Sequence, residues 1–252
     1  MSNVEELLKN ALTNMADKGM IFSKEIQFQF ALATELKEID GATVLLENLS
    51  VLKDEDRKEI KVYTDLVLQI DGFVYPIELK YKTADRKVTY KNDGNYIYTF
   101  NQGAVESGSY DFIKDINRIE LLLDSNPDAS DYTALGKKPK FKGGFTILLT
   151  NYSKYYETRE QPFYWENYHL SNKKEIRVKK LSWKNTDKVS KKAFENRLIK
   201  NLGIERATNP ITLKHTYKIQ WEDYNPKGWA EEIKGKKHNF KYLLISVPCN
   251  TE

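Results

Sequence analysis

At 252 residues, 40% of them hydrophobic, the chain can form one large domain or a core with an appended lobe, and it reads as an ordinary globular protein. A single cysteine, Cys249, excludes an intrachain disulfide framework, and no Cys/His cluster has zinc spacing. The first residues lack the pattern of a signal peptide, no apolar run approaches the roughly 20 residues that cross a bilayer, and the expected location is the cytoplasm. The 40 basic and 36 acidic residues nearly cancel to a net charge of +4, so only local clustering of charge can point to a partner.

The stretch "SNVEELLKNALTNM" places Val4, Leu7, Leu8, Ala11, Leu12 and Met15 on one helical face, and Asn3 followed by Glu6 has the pattern of a capping box. A second helix is predicted over "SKEIQFQFALATELKEI", with Ser23 as its cap. There Ile26, Phe30, Ala33 and Lys37 share one face, and Glu25, Gln29, Leu32 and Leu36 share the adjacent one. "ATVLLENLSVL" reads as a strand and residues 60–82 as a hairpin. From Thr83 to Gly108 the pattern weakens, with a second hairpin around "KNDGN" that carries Tyr90, Tyr96, Tyr98 and Phe100. "YDFIKDINRIELLL" predicts a helix with Phe112, Ile113, Ile116, Ile119, Leu122 and Leu123 facing inward, and "GGFTILLT" a buried strand. Beyond about residue 150 the composition shifts to Tyr, Trp and Lys, ending in strand-like "LKHTYKIQW" and "YLLISV".

The hairpin can be taken further. Asp71-Gly72 signals a two-residue turn that pairs Ile70 with Phe73, and counting back along both strands puts Asp65 opposite Glu78. Leu66, Leu68, Ile70, Phe73, Tyr75 and Ile77 then form one apolar side, while Asp65, Val67, Val74, Glu78 and Lys80 share the other. The Asp65/Glu78 pair is of the non-hydrogen-bonded type, with α-carbons roughly 4.5 Å apart. Pro76 takes a non-hydrogen-bonded position as well, so this ladder loses nothing by its missing N–H.

Like charges at about 4 Å repel by about 4 kcal/mol at an effective dielectric of about 20. Protonation of one carboxyl, neutralisation by Lys80, or a cation between the carboxylates would each compensate. One lysine cannot cancel two carboxylates, and hard oxygen ligands suit Mg²⁺ or Mn²⁺.

Asp65, followed thirteen positions later by Glu78-Leu79-Lys80, resembles the PD-(D/E)xK nuclease motif, and the order helix, strand, hairpin, helix, strand resembles the core of that superfamily over roughly residues 20–150. "YDFIKDINRIE" and "FTILLTN" also resemble its bacterial or phage members. The resemblance implies an α/β (α+β), restriction-endonuclease-like fold: a central mixed β-sheet flanked by helices. Residues 1–150 are then a nuclease-like core with its N-terminal helix, and 151–252 a β-rich, basic, aromatic-rich extension packed on that core. It also implies that Asp65, Glu78 and the Leu79 main-chain carbonyl bind Mg²⁺ or Mn²⁺, with Lys80 orienting or activating the attacking water and Glu25 completing the site. Thr64 stands where the family motif has a proline.

Each feature also has a plainer explanation. A Glu-x-Lys tripeptide alone carries little weight, and Glu25 suits the first turn of a helix on electrostatic grounds. Asp111, Asp115 and Arg118 fall at i, i+4 and i+7 beside Tyr110; they either contact phosphate, buttress the site through Lys80, or pair along a solvated helix. Gln102 can reach the site from its loop, and the long 83–108 connection suits a substrate-facing flap. Residues 173–206 hold twelve Lys or Arg against four acids, followed by Lys234, Lys236, Lys237 and Lys241. Interleaved with Trp165, Tyr168 and Trp183, they suit phosphate contact and base stacking. His215 is in phase with core positions, His169 and His238 are isolated, and no Ser/His/Asp or phosphate-loop signature competes. The expectation is a Mg²⁺-dependent nuclease hydrolysing phosphodiester bonds in DNA, in defence, restriction or repair, with no membrane partner and with a homodimer as an allowed assembly. The alternative is a nuclease-derived protein that kept the fold to bind nucleic acid or to act as a scaffold.

Overall fold

A computed structural model describes residues 2–53, 59–89, 95–125, 140–158, 163–229, 232–233, 236–237 and 239–249. Tyr90, Lys234 and His238 lie outside the described residues. The chain opens with helices α1 (Ser2–Asp17) and α2 (Glu25–Lys37), then runs through strands β1 (Thr43–Lys53), β2 (Glu59–Ile70) and β3 (Phe73–Lys82). A small hairpin, β4 (Arg86–Thr89) and β5 (Tyr96–Thr99), precedes helix α3 (Val105–Ser125), and β6 (Lys140–Phe141) and β7 (Gly143–Thr150) follow it. The remainder holds β8 (Glu175–Ile176), β9 (Lys180–Leu181), α4 (Lys191–Leu202), α5 (Ile204–Thr208), β10 (Ile211–Thr212), β11 (Tyr217–Lys218) and β12 (Trp221–Tyr224). It closes with β13 (Glu232–Ile233), β14 (Lys236–Lys237) and β15 (Phe240–Pro248).

The result is a mixed α/β fold around one central sheet of order β1-β2-β3-β7-β15-β12, with β6 also pairing β3. β3 and β7 are parallel and the other neighbours along this order antiparallel, so α3 forms the crossover that a parallel pair requires. Leu66, Leu68, Tyr75, Ile77 and Leu79 pack with α1 and α2. Val67, Val74, Leu148 and Leu243 pack with α3 on the opposite face. Covered on both sides, β7 is buried at every position, as a continuous apolar run demands. Residues 151–252, expected as an extension, supply β12 and β15 to this sheet; β15 pairs along the whole of β7. Among the described residues no helix is long and apolar enough to cross a membrane.

Several local expectations shift. Asn3 lies inside the first turn of α1. At α2, Lys24 occupies the cap position, and the Gln27 side chain reaches back to accept from Ser23 N at 2.8 Å and Lys24 N at 3.3 Å. Phe28, Gln29, Leu32, Ala33 and Leu36 form its buried face, which leaves Ile26 and Phe30 exposed. "LKHTYKIQW" supplies only the short β11 and the first residue of β12, because the buried Glu120 carboxylate takes the N–H groups of Lys214 and His215 at 3.0 Å that a strand would have needed. His215 is half-buried, and His169 is packed between Phe163 and Trp165.

The β2–β3 turn has positive φ at both Asp71 (54°) and Gly72 (77°), the type I′ geometry that matches strand twist. It fixes Ile70 against Phe73 and every pair back to Leu66 against Ile77. Pro76 pairs with Val67 inside this ladder, and its nitrogen faces the other neighbour. There the adjacent chain breaks between β6 and β7 at Lys142, so a central proline leaves no strand acceptor unanswered. Gly144 passes over this point so closely that a Cβ would lie 2.5 Å from Ile119 Cγ2 and 3.0 Å from the Pro76 carbonyl oxygen. Gly144→Ala is therefore expected to overpack the contact between α3 and β7 and cost about 2 kcal/mol. A urea titration should show a lower midpoint with an unchanged m-value.

Candidate functional site

Beyond Leu66 and Ile77 the β2–β3 ladder stops, although both strands continue. β2 stays with β1 as far as Glu59, and β3 stays with β7 as far as Lys82. The two pairs part here, and Asp65 and Glu78 are the first residues beyond the last rung. The register read from the turn is thus the observed one, and the pair it sets opposite each other stands where the strands part.

Parting strands leave N–H groups of β3 without a ladder partner, and buried backbone donors must find another. Asp65 Oδ2 accepts from Leu79 N at 2.7 Å, and Glu25 Oε2 accepts from Tyr81 N at 2.7 Å. Glu25 is held there because the Tyr81 hydroxyl donates to the Phe22 carbonyl at 2.7 Å, which pins the chain just ahead of α2. Across β2, the β1 ladder skips Glu47, whose φ is 48°. Gln29 bridges this gap, with Nε2 donating to Glu47 Oε1 at 2.8 Å and to the Asp65 carbonyl at 2.7 Å. A non-glycine residue in the left-handed region inside a strand stores strain, and it sits directly beside the acidic pair.

The charges are completed by α3. Arg118 Nη2 pairs with Glu78 Oε2 and also with Asp115 Oδ1 at 3.0 Å. Lys80 Nζ lies 2.8 Å from Asp115 Oδ2 and donates to the Leu79 carbonyl at 3.1 Å. Asp115 buttresses Lys80, as one of the readings of its helix position expects, whereas Glu78 is paired with Arg118 rather than with Lys80. Four carboxylates, Glu25, Asp65, Glu78 and Asp115, thus surround two cations. Burial pushes the Glu78 carboxyl well above the usual carboxylate range, repulsion from Asp115 adds to it, and Arg118 opposes it. Burial likewise raises Asp65 and Glu25, against the pull of Lys80. Burial disfavours charge on Lys80, but Asp115, Glu25 and Asp65 outweigh it and hold the ammonium above the ordinary lysine range.

Of the other expected site residues, Gln102 is close to the end of β3, its backbone N–H reaching the Thr83 carbonyl at 3.4 Å. Tyr110 and Asp111 lie elsewhere. Tyr110 donates to the Asn209 carbonyl at 2.7 Å and stacks on Trp183 at 5.7 Å, while Asp111 binds Arg206 Nε and Nη2 at 2.7 and 2.9 Å. They fasten the C-terminal segment to α3. Stacking on Trp165 and Tyr168 is excluded, since both are buried, and Trp183 is partly buried. Part of the basic cluster is engaged: Lys174 donates to the carbonyls of Glu166 and His169, Lys184 pairs with Glu166, Arg197 with Asp187, and Lys241 with Asp223, whereas Lys173, Lys179, Lys180, Lys188, Lys192 and Lys200 are exposed. The sequence reading gave Gln29 and Glu47 no role. The i, i+4 spacing of Glu25 and Gln29 was the available signal for one, whereas Glu47 needs the β1–β2 register.

The donor set is chemically suited to a hard divalent cation: buried oxygens of Asp65 and Glu78 and the Leu79 carbonyl, in surroundings with more negative than positive charge. In the arrangement seen, no group of three or more His, Cys, Asp or Glu side chains among the described residues is poised to hold a metal, since Arg118 covers Glu78. Comparison with protein-family models, with curated proteins and with solved structures finds no match to this chain.

Asp115 faces both cations and is 7% exposed at its side chain, so removing it strands Lys80 and half of the Arg118 contacts. Asp115→Ala is expected to destabilise the fold by about 3 kcal/mol, as breaking a buried pair does. Lys80→Met is expected to add to that loss, because Glu25 and Asp65 then lose their cation, and a double-mutant cycle measured by chemical denaturation reads the Asp115–Lys80 coupling.

Proposed function

We propose that this chain is a Mg²⁺- or Mn²⁺-dependent nuclease that hydrolyses phosphodiester bonds in DNA, built on a restriction-endonuclease-like core of the PD-(D/E)xK type. The observation that carries the reading is the parting of β2 and β3 immediately after Leu66 and Ile77, with Asp65, Glu78, Lys80 and Glu25 gathered at the point of divergence. The parting frees these side chains from a continuous ladder, and the partly exposed Lys80 and Arg118 are the groups a phosphodiester would meet first. Asp65, Glu78 and the Leu79 carbonyl would hold the cation, and Glu78 becomes available to it when its bond to Arg118 opens. When bound, the cation supplies an activated water and stabilises charge on the phosphorus oxygens.

The side chains divide the remaining work. Lys80, anchored on Asp115, serves as a hydrogen-bond donor that aims the attacking water or a phosphate oxygen. Asp115 is a positioning residue: it fixes the Lys80 ammonium and offers Arg118 a second carboxylate. Arg118, released from Glu78, carries a guanidinium suited to phosphate oxygens. Glu25 and Gln29 hold the parted strands in place through Tyr81 and Asp65.

The pairing of Arg118 with Glu78 also favours a second reading, in which the fold is retained to bind nucleic acid or to act as a scaffold and the guanidinium permanently fills the place of a cation. One assay separates the two. Linear and circular DNA are incubated with the protein and Mg²⁺ or Mn²⁺, and retention of DNA is followed alongside cleavage. Cleavage is expected, and Lys80→Ala or Glu78→Ala should lower its rate at least about 100-fold, the scale of a lost electrostatic stabiliser. Cleavage that survives both substitutions would sink the assignment, and retention without cleavage would support the binding protein.

A further inference from the structure

The place where β2 and β3 part has exposed aromatic side chains to either side of it along the chain. On one side Tyr63, 58% exposed, stands two residues before Asp65 and therefore on the same face of β2. On the other side the β4–β5 hairpin is tied to the end of β3. Thr83 Oγ1 donates to the Phe100 carbonyl at 2.7 Å, Thr99 Oγ1 to the Ala84 carbonyl at 2.8 Å, and Ala84 N to Asn151 Oδ1 at 2.8 Å. Val88 and Ile97 turn inward onto the core, so the alternation of β5, continued by one residue, turns Tyr96, Tyr98 and Phe100 to solvent. They are 54%, 45% and 58% exposed, with successive ring centroids 5.2 and 6.4 Å apart. The Lys87 ammonium sits 3.9 Å from the Tyr96 ring centroid. Between Lys80 and Phe100 the sequence has four Lys or Arg against two Asp.

Three neighbouring rings left in water, in a locally basic stretch, combine the two elements that hold single-stranded nucleic acid: π faces for bases and cations for phosphates. A duplex offers such rings little, because its bases are stacked on one another. Phe100 is bonded to Thr83, three residues past Lys80 and roughly 10 Å along the strand, so a strand lying on the ladder leads toward the charged site. We infer that Tyr96, Tyr98 and Phe100 form a platform on which unpaired nucleotides stack, so that the substrate is single-stranded DNA or the frayed end of a duplex. This substrate assignment rests on the nuclease reading, whereas the binding surface does not.

The test is fluorescence anisotropy of labelled oligothymidylate and of a blunt duplex, in Ca²⁺ so that binding is read apart from cleavage. The doubly substituted Tyr98→Ala/Phe100→Ala protein is expected to bind oligothymidylate at least about tenfold more weakly, the scale of losing stacked bases, with duplex binding unchanged. Tyr98→Trp, which keeps a ring, should bind as the wild type does. Unchanged oligothymidylate binding in the double variant, or equal weakening toward duplex, would overturn the platform. Ladder-independent binding by a protein that still cleaves in Mg²⁺ would remove the platform and leave the nuclease reading standing. Ladder-dependent binding without any cleavage would do the reverse.

Discussion

Burying Glu78 in the central sheet obliges the rest of the molecule to bring positive charge to it. With 1% of its surface exposed, the carboxylate cannot be neutralised by water or counterions, so the compensation must be built into neighbouring elements. Arg118 supplies it from α3, and Asp115 joins Arg118 to Lys80. This network sets the rotation of α3 over β3 and β7, because Asp115 and Arg118 must face the sheet while Phe112, Ile116 and Ile119 fill the core around them.

The second constraint is backbone hydrogen bonding. β3 keeps one neighbour, β7, along its C-terminal half but loses β2 after Ile77. The carboxylates of Asp65 and Glu25 take the N–H groups of Leu79 and Tyr81 that the ladder abandons, and Gln29 takes the carbonyl of Asp65. The acids at the candidate site therefore stabilise the parting of the strands beside which they lie. Structure and proposed chemistry draw on the same side chains.

What was legible in the sequence follows the range of the forces involved. The Asp71-Gly72 turn and the alternation around it are local, and they determined the register as far as Leu66 and Ile77 and the apolar face; the expected Asp65/Glu78 rung is not formed, because the ladder ends just before it. The inward face of α3 was likewise legible from its spacing. The partner of Glu78 was not, because Arg118 lies forty residues away and meets it only once α3 docks. The pairing of β15 with β7 leaves no local mark either. Aromatic composition could not separate Trp165 and Tyr168, which pack inside, from Tyr96, Tyr98 and Phe100, which do not. Nor does composition distinguish the C-terminal cations that pair with carboxylates or carbonyls, such as Lys174, Lys184 and Arg197, from exposed ones such as Lys179 and Lys192.

The most direct measurement is anomalous diffraction from crystals soaked in Mn²⁺. An anomalous peak bonded to the carboxylates of Asp65 and Glu78 and to the Leu79 carbonyl, with Arg118 withdrawn from Glu78, is the result expected. Glu78 still paired with Arg118 at saturating Mn²⁺, with no peak where β2 and β3 part, would contradict the account.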